Sequence, residues 1–296
     1  MQLVPWSFQT PEGFTLRGAH SPASGKPVLH VLHGNGYCSK MYWPLLAELA
    51  PYFDLFLSDA QGHGDSDHGG AFVGWNRSAE LAALAFTAHK SQFGDVPVIG
   101  LGHSFGGVLT ALIQADHPQL FAEIVLLDPV LFTPSMLSGM QMLDWLGWYP
   151  HNPMAKKARK RRSHWPDKTE CHQYLQERGM FKGWAADALS AYIENALTHE
   201  DDGSRLKCQS SREAEIFGSF PRALWRKLNK AEGAKLLVYG DSTYPFVAKS
   251  ARYWQKHRPQ LHIEKVTGSH CFMQQFPSAT AALLKTHWQK QAIIRS

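Results

Sequence analysis

Apolar positions along this chain follow two rhythms in turn. Short apolar runs stand at Val28–Leu32, Phe53–Ser58, Val96–Leu101, Glu123–Leu127, Ala234–Gly240 and His262–Val266. Such runs suit strands buried on both faces of a parallel sheet. Between them, apolar residues recur at helical spacing. They do so in Tyr42–Leu49, in Ser78–Phe93 with Leu81, Leu84 and Ala85 on one face, in Val108–Ile113, and near the end with Ala281, Leu283 and Leu284. Strands alternating with helices predict a parallel sheet covered by helices on both faces. Ahead of them, Trp6–Thr10 and Phe14–Gly18 flank a Pro-Glu-Gly turn and predict a β-hairpin.

The alternation stops after Pro129 and resumes only at Ala234. The stretch between carries Trp145, Trp148, Trp165 and Trp184, many charges, and helix-like segments such as Ala185–Leu197. It predicts an insertion, residues 131–231, over the carboxyl ends of the strands, where open α/β sheets place their ligands. The core is then residues 1–130 and 232–296.

Composition changes this picture little. At 296 residues, 44% hydrophobic and 19% charged, the chain has the balance of a soluble globular protein with a substantial core. No apolar run is long enough to span a bilayer. The first residues lack a basic stretch followed by a long apolar one, so no secretory signal is expected and the expected location is cytoplasmic. The four cysteines, Cys38, Cys171, Cys208 and Cys271, are far apart and read as free thiols. The formal charge is +5, with a dense basic run at Lys156–Arg162. That run reads first as a solvated helix face, and otherwise as a contact for nucleic acid, anionic lipid or an acidic substrate. A single run over a pocket makes nucleic acid the poorer fit, and no nucleic-acid partner is expected.

The chemistry concentrates at one turn. The apolar run ending at Leu101 passes into Gly102-His103-Ser104-Phe105-Gly106-Gly107 and then into a helical stretch. This is the strand–turn–helix setting of a G-x-S-x-G nucleophile elbow, in which a sharp turn presents the serine hydroxyl. Side chains at Gly102 and Gly106 would clash across it. Amides at the start of the following helix point toward any oxyanion formed beside Ser104.

These residues resemble the elbow of α/β-hydrolase fold proteins of the lipase and esterase type, and the resemblance extends over nearly the whole chain. It implies a mostly parallel eight-stranded sheet with an inserted helical cap. His33-Gly34-Asn35-Gly36 then matches the turn that supplies one oxyanion-hole amide, Asn35 N–H, paired with Phe105 N–H. Asp59-Ala60-Gln61-Gly62-His63-Gly64-Asp65-Ser66 matches a loop of mainly structural role, so His63 is not expected to be catalytic. Gly268-Ser269-His270 resembles the family's histidine loop and makes His270 the base, in the chain order serine, acid, histidine. The acid stays open. Most of the family carries it three residues after the glycine that ends the penultimate strand, and here that position is Thr243. Asp128, after the preceding strand, fits a minority branch of the family. Asp241 is the alternative, one residue past Gly240. Cys271 reads as packing at the edge of the site.

The implied activity is hydrolysis of a carboxylic ester, or a related acyl bond, of a small, partly apolar substrate through an acyl-enzyme on Ser104, with no metal or cofactor. The same elbow serves C–C bond hydrolases, thioesterases and acyltransferases, and a ligand receptor could keep the fold without turnover. Arg161-Arg162-Ser163-His164-Trp165-Pro166, Leu206-Lys207-Cys208 and Glu213-Ala214-Glu215 also resemble a subgroup that includes fungal peroxisomal lipase-like proteins. The final Ile294-Arg295-Ser296 does not match the usual peroxisomal address. The sequence leaves substrate identity and oligomeric state open.

Overall fold

The central apolar runs become strands because each can bury alternate side chains on two opposite faces at once, whereas the His262–Val266 run forms the partly exposed edge strand. In β3 (Val28–Leu32), Leu29 and Val31 face one helix layer, while Val28 and Leu32 face the other. The computed structural model describes residues 2–294; Met1 and the terminal Arg295 and Ser296 lie outside them. The hairpin is β1 (Val4–Gln9) with β2 (Thr15–His20). After β3 come α1 (Trp43–Leu49), β4 (Asp54–Ser58), α2 (Trp75–His89), β5 (Val98–His103), α3 (Phe105–Asp116) and β6 (Glu123–Leu127). The helix expected at Ser78–Phe93 starts three residues earlier and tightens into a 3-10 turn over Lys90–Phe93.

The insertion follows. It holds α4 (Pro134–Trp145), α5 (Pro153–Arg159), β7 (His164–Trp165), α6 (Lys168–Leu175), α7 (Ala186–Ala196), β8 (Leu197–Glu200), β9 (Gly203–Leu206), α8 (Ser210–Phe217) and α9 (Leu224–Leu228). It is mainly helical, and it also carries a small antiparallel sheet in the order β7-β9-β8. The core then resumes with β10 (Ala234–Gly240), α10 (Pro245–His257), β11 (Leu261–Val266), α11 (Phe272–Gln275) and α12 (Pro277–Lys290).

The main sheet has eight strands in the order β1-β2-β4-β3-β5-β6-β10-β11, parallel from β4 to β11. Register sets the level of the chain ends. His103 pairs with Leu127, and Leu127 with Val238, so Ser104 and Asp128 leave neighbouring strands side by side. One face packs on α1 and α12, the other on α2, α3, α9 and α10. The insertion joins both layers. Trp165, Trp184 and α7 side chains belong to the first, and Tyr149, Ile216, Phe220 and Trp225 to the second. Among the described residues, no helix is long and apolar enough to cross a membrane.

The basic run is not a uniform surface. Arg161 turns inward, donating to Glu213 at 2.7 Å and to the Tyr192 hydroxyl at 2.7 Å. Arg162 pairs with Glu170 and lies over the Tyr174 ring. All four cysteines are free and buried.

Candidate active site

Ser104 sits between β5 and α3 with φ 53° and ψ −115°, a conformation that costs a non-glycine residue on the order of 1–3 kcal/mol. Neighbouring hydrogen bonds hold it there: Ser104 N–H donates to Leu127 O at 3.1 Å, and Ser104 O accepts from Val108 N at 3.2 Å. Gly102 and Gly106 permit the bend. A Cβ on Gly102 would collide with Gly106 O and Thr110 Oγ1, and one on Gly106 with Leu32 O and His33 O.

His270 arrives from the loop after β11. Its Nε2 lies 2.9 Å from Ser104 Oγ and its Nδ1 2.7 Å from Asp128 Oδ1. Nδ1–H donating to the carboxylate leaves Nε2 free to accept the serine hydroxyl. Asp128, fully buried at the tip of β6 with φ 46°, also accepts from Gly240 N–H through Oδ2 at 2.9 Å. Its Oδ1 takes a further bond from the Thr243 hydroxyl. Asp241 is elsewhere. Its N–H continues the ladder to Val266 O, and its exposed carboxylate accepts from Gly268 N–H at 3.1 Å and Ser242 Oγ at 3.0 Å. The Gly268 bond holds its pKa below the usual carboxylate value. Of the two candidate acids, Asp128 alone bonds to His270.

A buried relay that the sequence reading did not single out holds the histidine loop from behind. Gly34 N–H donates to Tyr42 Oη at 3.2 Å, the Tyr42 hydroxyl to His103 Nδ1 at 2.6 Å, and His103 Nε2–H to His270 O at 3.0 Å. Burial holds the His103 pKa well below the ordinary histidine value, so the ring stays neutral and keeps one donor and one acceptor. His63, also buried and kept neutral, accepts from Gly36 N–H at 3.0 Å and braces the turn that carries Asn35. The one available signal for the relay was His103 inside the elbow itself.

Asn35 and Phe105 line the same cavity as Ser104 and His270. Phe105 opens α3, so its amide N–H has no intrahelical acceptor. The cavity holds about 280 Å³. Its wall is mainly apolar: Trp75, Phe105, Val130 and Phe246 come from the core, and Phe132, Met136, Met140, Tyr149, Met154, Met180, Ile216 and Phe217 from the insertion, which also brings Asn152 and Ser219 to the lining. Cys271 lies behind this wall, its Sγ 3.3 Å from Tyr37 Oη, and burial pushes its thiol up to about 12.

The sequence profile of the Alpha/beta hydrolase family matches residues 28–283. Lipase LipV of Mycobacterium tuberculosis is 31% identical over 153 residues, covering 49% of this chain and 53% of that protein. Monoglyceride lipase of Mus musculus is 30% identical over 126 residues, 40% of each chain. The chain therefore matches about half or less of the length of these curated relatives. Among solved structures, the peroxisomal alpha-beta-hydrolase of Saccharomyces cerevisiae superposes with a TM-score of 0.78 at 17% identity, covering 99% of this chain and 89% of that one, a likeness of fold. With the eight-stranded sheet, the strand–elbow–helix turn and a family match running from β3 into α12, the chain belongs to the Alpha/beta hydrolase family.

Proposed function

We propose that this protein is a serine hydrolase that cleaves a carboxylic ester, or a related acyl bond, of a small, partly apolar substrate. The observation that carries this reading is the unbroken line from Asp128 through His270 to Ser104, ending at an apolar cavity. In this reading Ser104 Oγ attacks the acyl carbon while His270 Nε2 takes its proton. The oxyanion that forms is held by the N–H groups of Asn35 and Phe105. His270 returns the proton to the departing alkoxide, leaving an acyl-enzyme. Water then repeats the sequence, with His270 as base, and releases the acid and free Ser104. Asp128 fixes the ring and stabilises the imidazolium.

Residues 131–231 act as a cap on the core formed by 1–130 and 232–296, and their methionines and aromatics hold the acyl portion. Flexible, polarisable methionines suit a wall that fits more than one chain shape. The two relatives named above, both lipases, favour an oxygen ester as the bond cleaved.

The test is a series of nitrophenyl esters of rising acyl length, run beside matched thioesters and beside Ser104→Ala. Turnover that rises with acyl length before falling, and vanishes in the variant, is expected. Equal slow rates in wild type and variant would sink the proposal; turnover of thioesters alone would move the bond class.

A further inference from the structure

The positive charge of this chain has one address. Residues 131–162 contain six cationic side chains, at Lys156, Lys157, Arg159, Lys160, Arg161 and Arg162, and a single carboxylate, Asp144. That excess equals the formal +5 of the whole chain, so the remainder is balanced. Asp144 is itself neutralised by Arg222 at 3.0 Å, while Arg161 and Arg162 are engaged by Glu213 and Glu170. Lys156, Lys157, Arg159 and Lys160 stay exposed, and among the described residues none of the four has an ion-pair partner. Arg159 also donates to Pro150 O at 3.2 Å, which ties the basic helix to the turn that follows α4.

Exposed apolar side chains gather at the same place. Of the ten large hydrophobic residues that the described chain leaves exposed, six lie between Met142 and Met154. Trp145 is 85% exposed, Trp148 65% and Met142 61%. A contiguous apolar patch on an otherwise ordinary surface marks a binding face. Upstream on α4, Met136 and Met140 form part of the cavity wall, and Met154, at the start of the basic helix, is both exposed and cavity-lining. Exposed set and cavity wall thus share Met154 and the helix α4.

We propose that the end of α4, together with the exposed cations of α5, is a docking surface for an anionic lipid membrane. Two tryptophans beside apolar residues and flanked by lysine and arginine match the composition that settles at the boundary of headgroups and acyl chains. The cations add attraction to anionic headgroups. A second copy of this chain is the weaker occupant, because a two-fold contact through this patch would bring both sets of unpaired cations together. Docking sets the mouth of the cavity against the acyl region. The claim concerns the surface alone and holds whether or not Ser104 is a nucleophile.

The experiment is flotation of the full chain with phosphatidylcholine vesicles, with and without phosphatidylserine, at low and high salt. The expected result is co-flotation with the anionic vesicles at low salt and a loss of about tenfold or more on neutral ones. Trp145→Ser with Trp148→Ser is expected to lower anionic binding by about tenfold. Replacing Lys156, Lys157, Arg159 and Lys160 by Gln is expected to remove the salt dependence. Both variants change exposed side chains, so either alone is decisive should the other fold poorly. Ser104→Ala should float like wild type, which separates this test from the catalytic one. The proposal is overturned if wild type fails to float with anionic vesicles at low salt, or if the tryptophan variant floats equally. Light scattering that finds a wild-type dimer made monomeric by the tryptophan variant would assign the patch to a second copy instead.

Discussion

The cavity has two unlike walls. On the sheet side, Ser104, His270 and Asp128 stand at strand ends, each with at least one side-chain hydrogen bond, and strand register sets two of the three. On the insertion side, Met136, Met140, Met154, Met180, Ile216 and Phe217 are apolar, and the polar Asn152 and Ser219 beside them spend their side-chain hydrogen bonds on Tyr149 O, Phe217 O and Glu215 O within the insertion. A hydrogen bond between charged or polar partners fails over a fraction of an ångström, whereas a methionine wall adapts. The two walls therefore divide the work. Under the proposed function, the sheet side would govern the rate of bond cleavage and the insertion would govern which acyl group enters.

Breaking the sheet side should cost most. Removal of the hydroxyl in Ser104→Ala is expected to lower kcat by about 10⁴-fold or more on a good ester, measured in single-turnover assays. Asp128→Asn is expected to cost about 10³–10⁴-fold in kcat, because the amide favours the wrong imidazole tautomer. Asp241→Asn, at an exposed carboxylate with no bond to His270, should stay within about twofold. Thr243 sharpens this contrast, since its hydroxyl bonds the same Asp128 oxygen that meets His270. Placing a carboxylate there, as Thr243→Asp in the Asp128→Asn background, should recover about tenfold or more of the lost rate.

On the insertion side the effect should be smaller and of another kind. Met136→Ala with Met140→Ala is expected to shift the preference between short and long acyl esters by about tenfold, with kcat on the shortest ester nearly unchanged. An equal fall on every ester would mean that this wall does more than select.

The remaining effect is on stability rather than on rate. His30, His33, His63 and His103 all lie in the core, and burial lowers the pKa of each, that of His30 to about 3. Above pH 6.5 these rings are neutral whether the chain is folded or not, and they favour neither state. Below it the unfolded chain takes up protons that the folded core refuses. Stability should then fall by about 1.4 kcal/mol per histidine per pH unit until each folded pKa is reached. Denaturant melts at pH 7.5 and 5.5 measure this directly, and equal midpoints would contradict it.

The sheet was readable because its central strands β3 to β6 are mostly apolar and buried along their whole length, a pattern a helix does not need. Ser104 was readable because the backbone bend demands glycine on both sides, and His270 because it follows the last strand. The acid was not. Choosing between Asp128 and Asp241 depends on which carboxylate swings over the edge of β6, fixed by Asp128 N–H donating to Val238 O at 2.7 Å, a partner 110 positions away in sequence. The small sheet of the insertion was silent for another reason. Its strands are two to four residues long, and β8 and β9 are rich in polar and charged residues. Arg161 looked like one cation among many because its partner Glu213 lies 52 residues further on.

Activity-based labelling with a fluorophosphonate, followed by mass mapping of the modified peptide, tests the central claim most directly. Adduct on the peptide that holds Ser104, lost in Ser104→Ala and strongly slowed in His270→Gln, is the expected result. An unlabelled protein, or label on another residue that persists when Ser104 is gone, would contradict it.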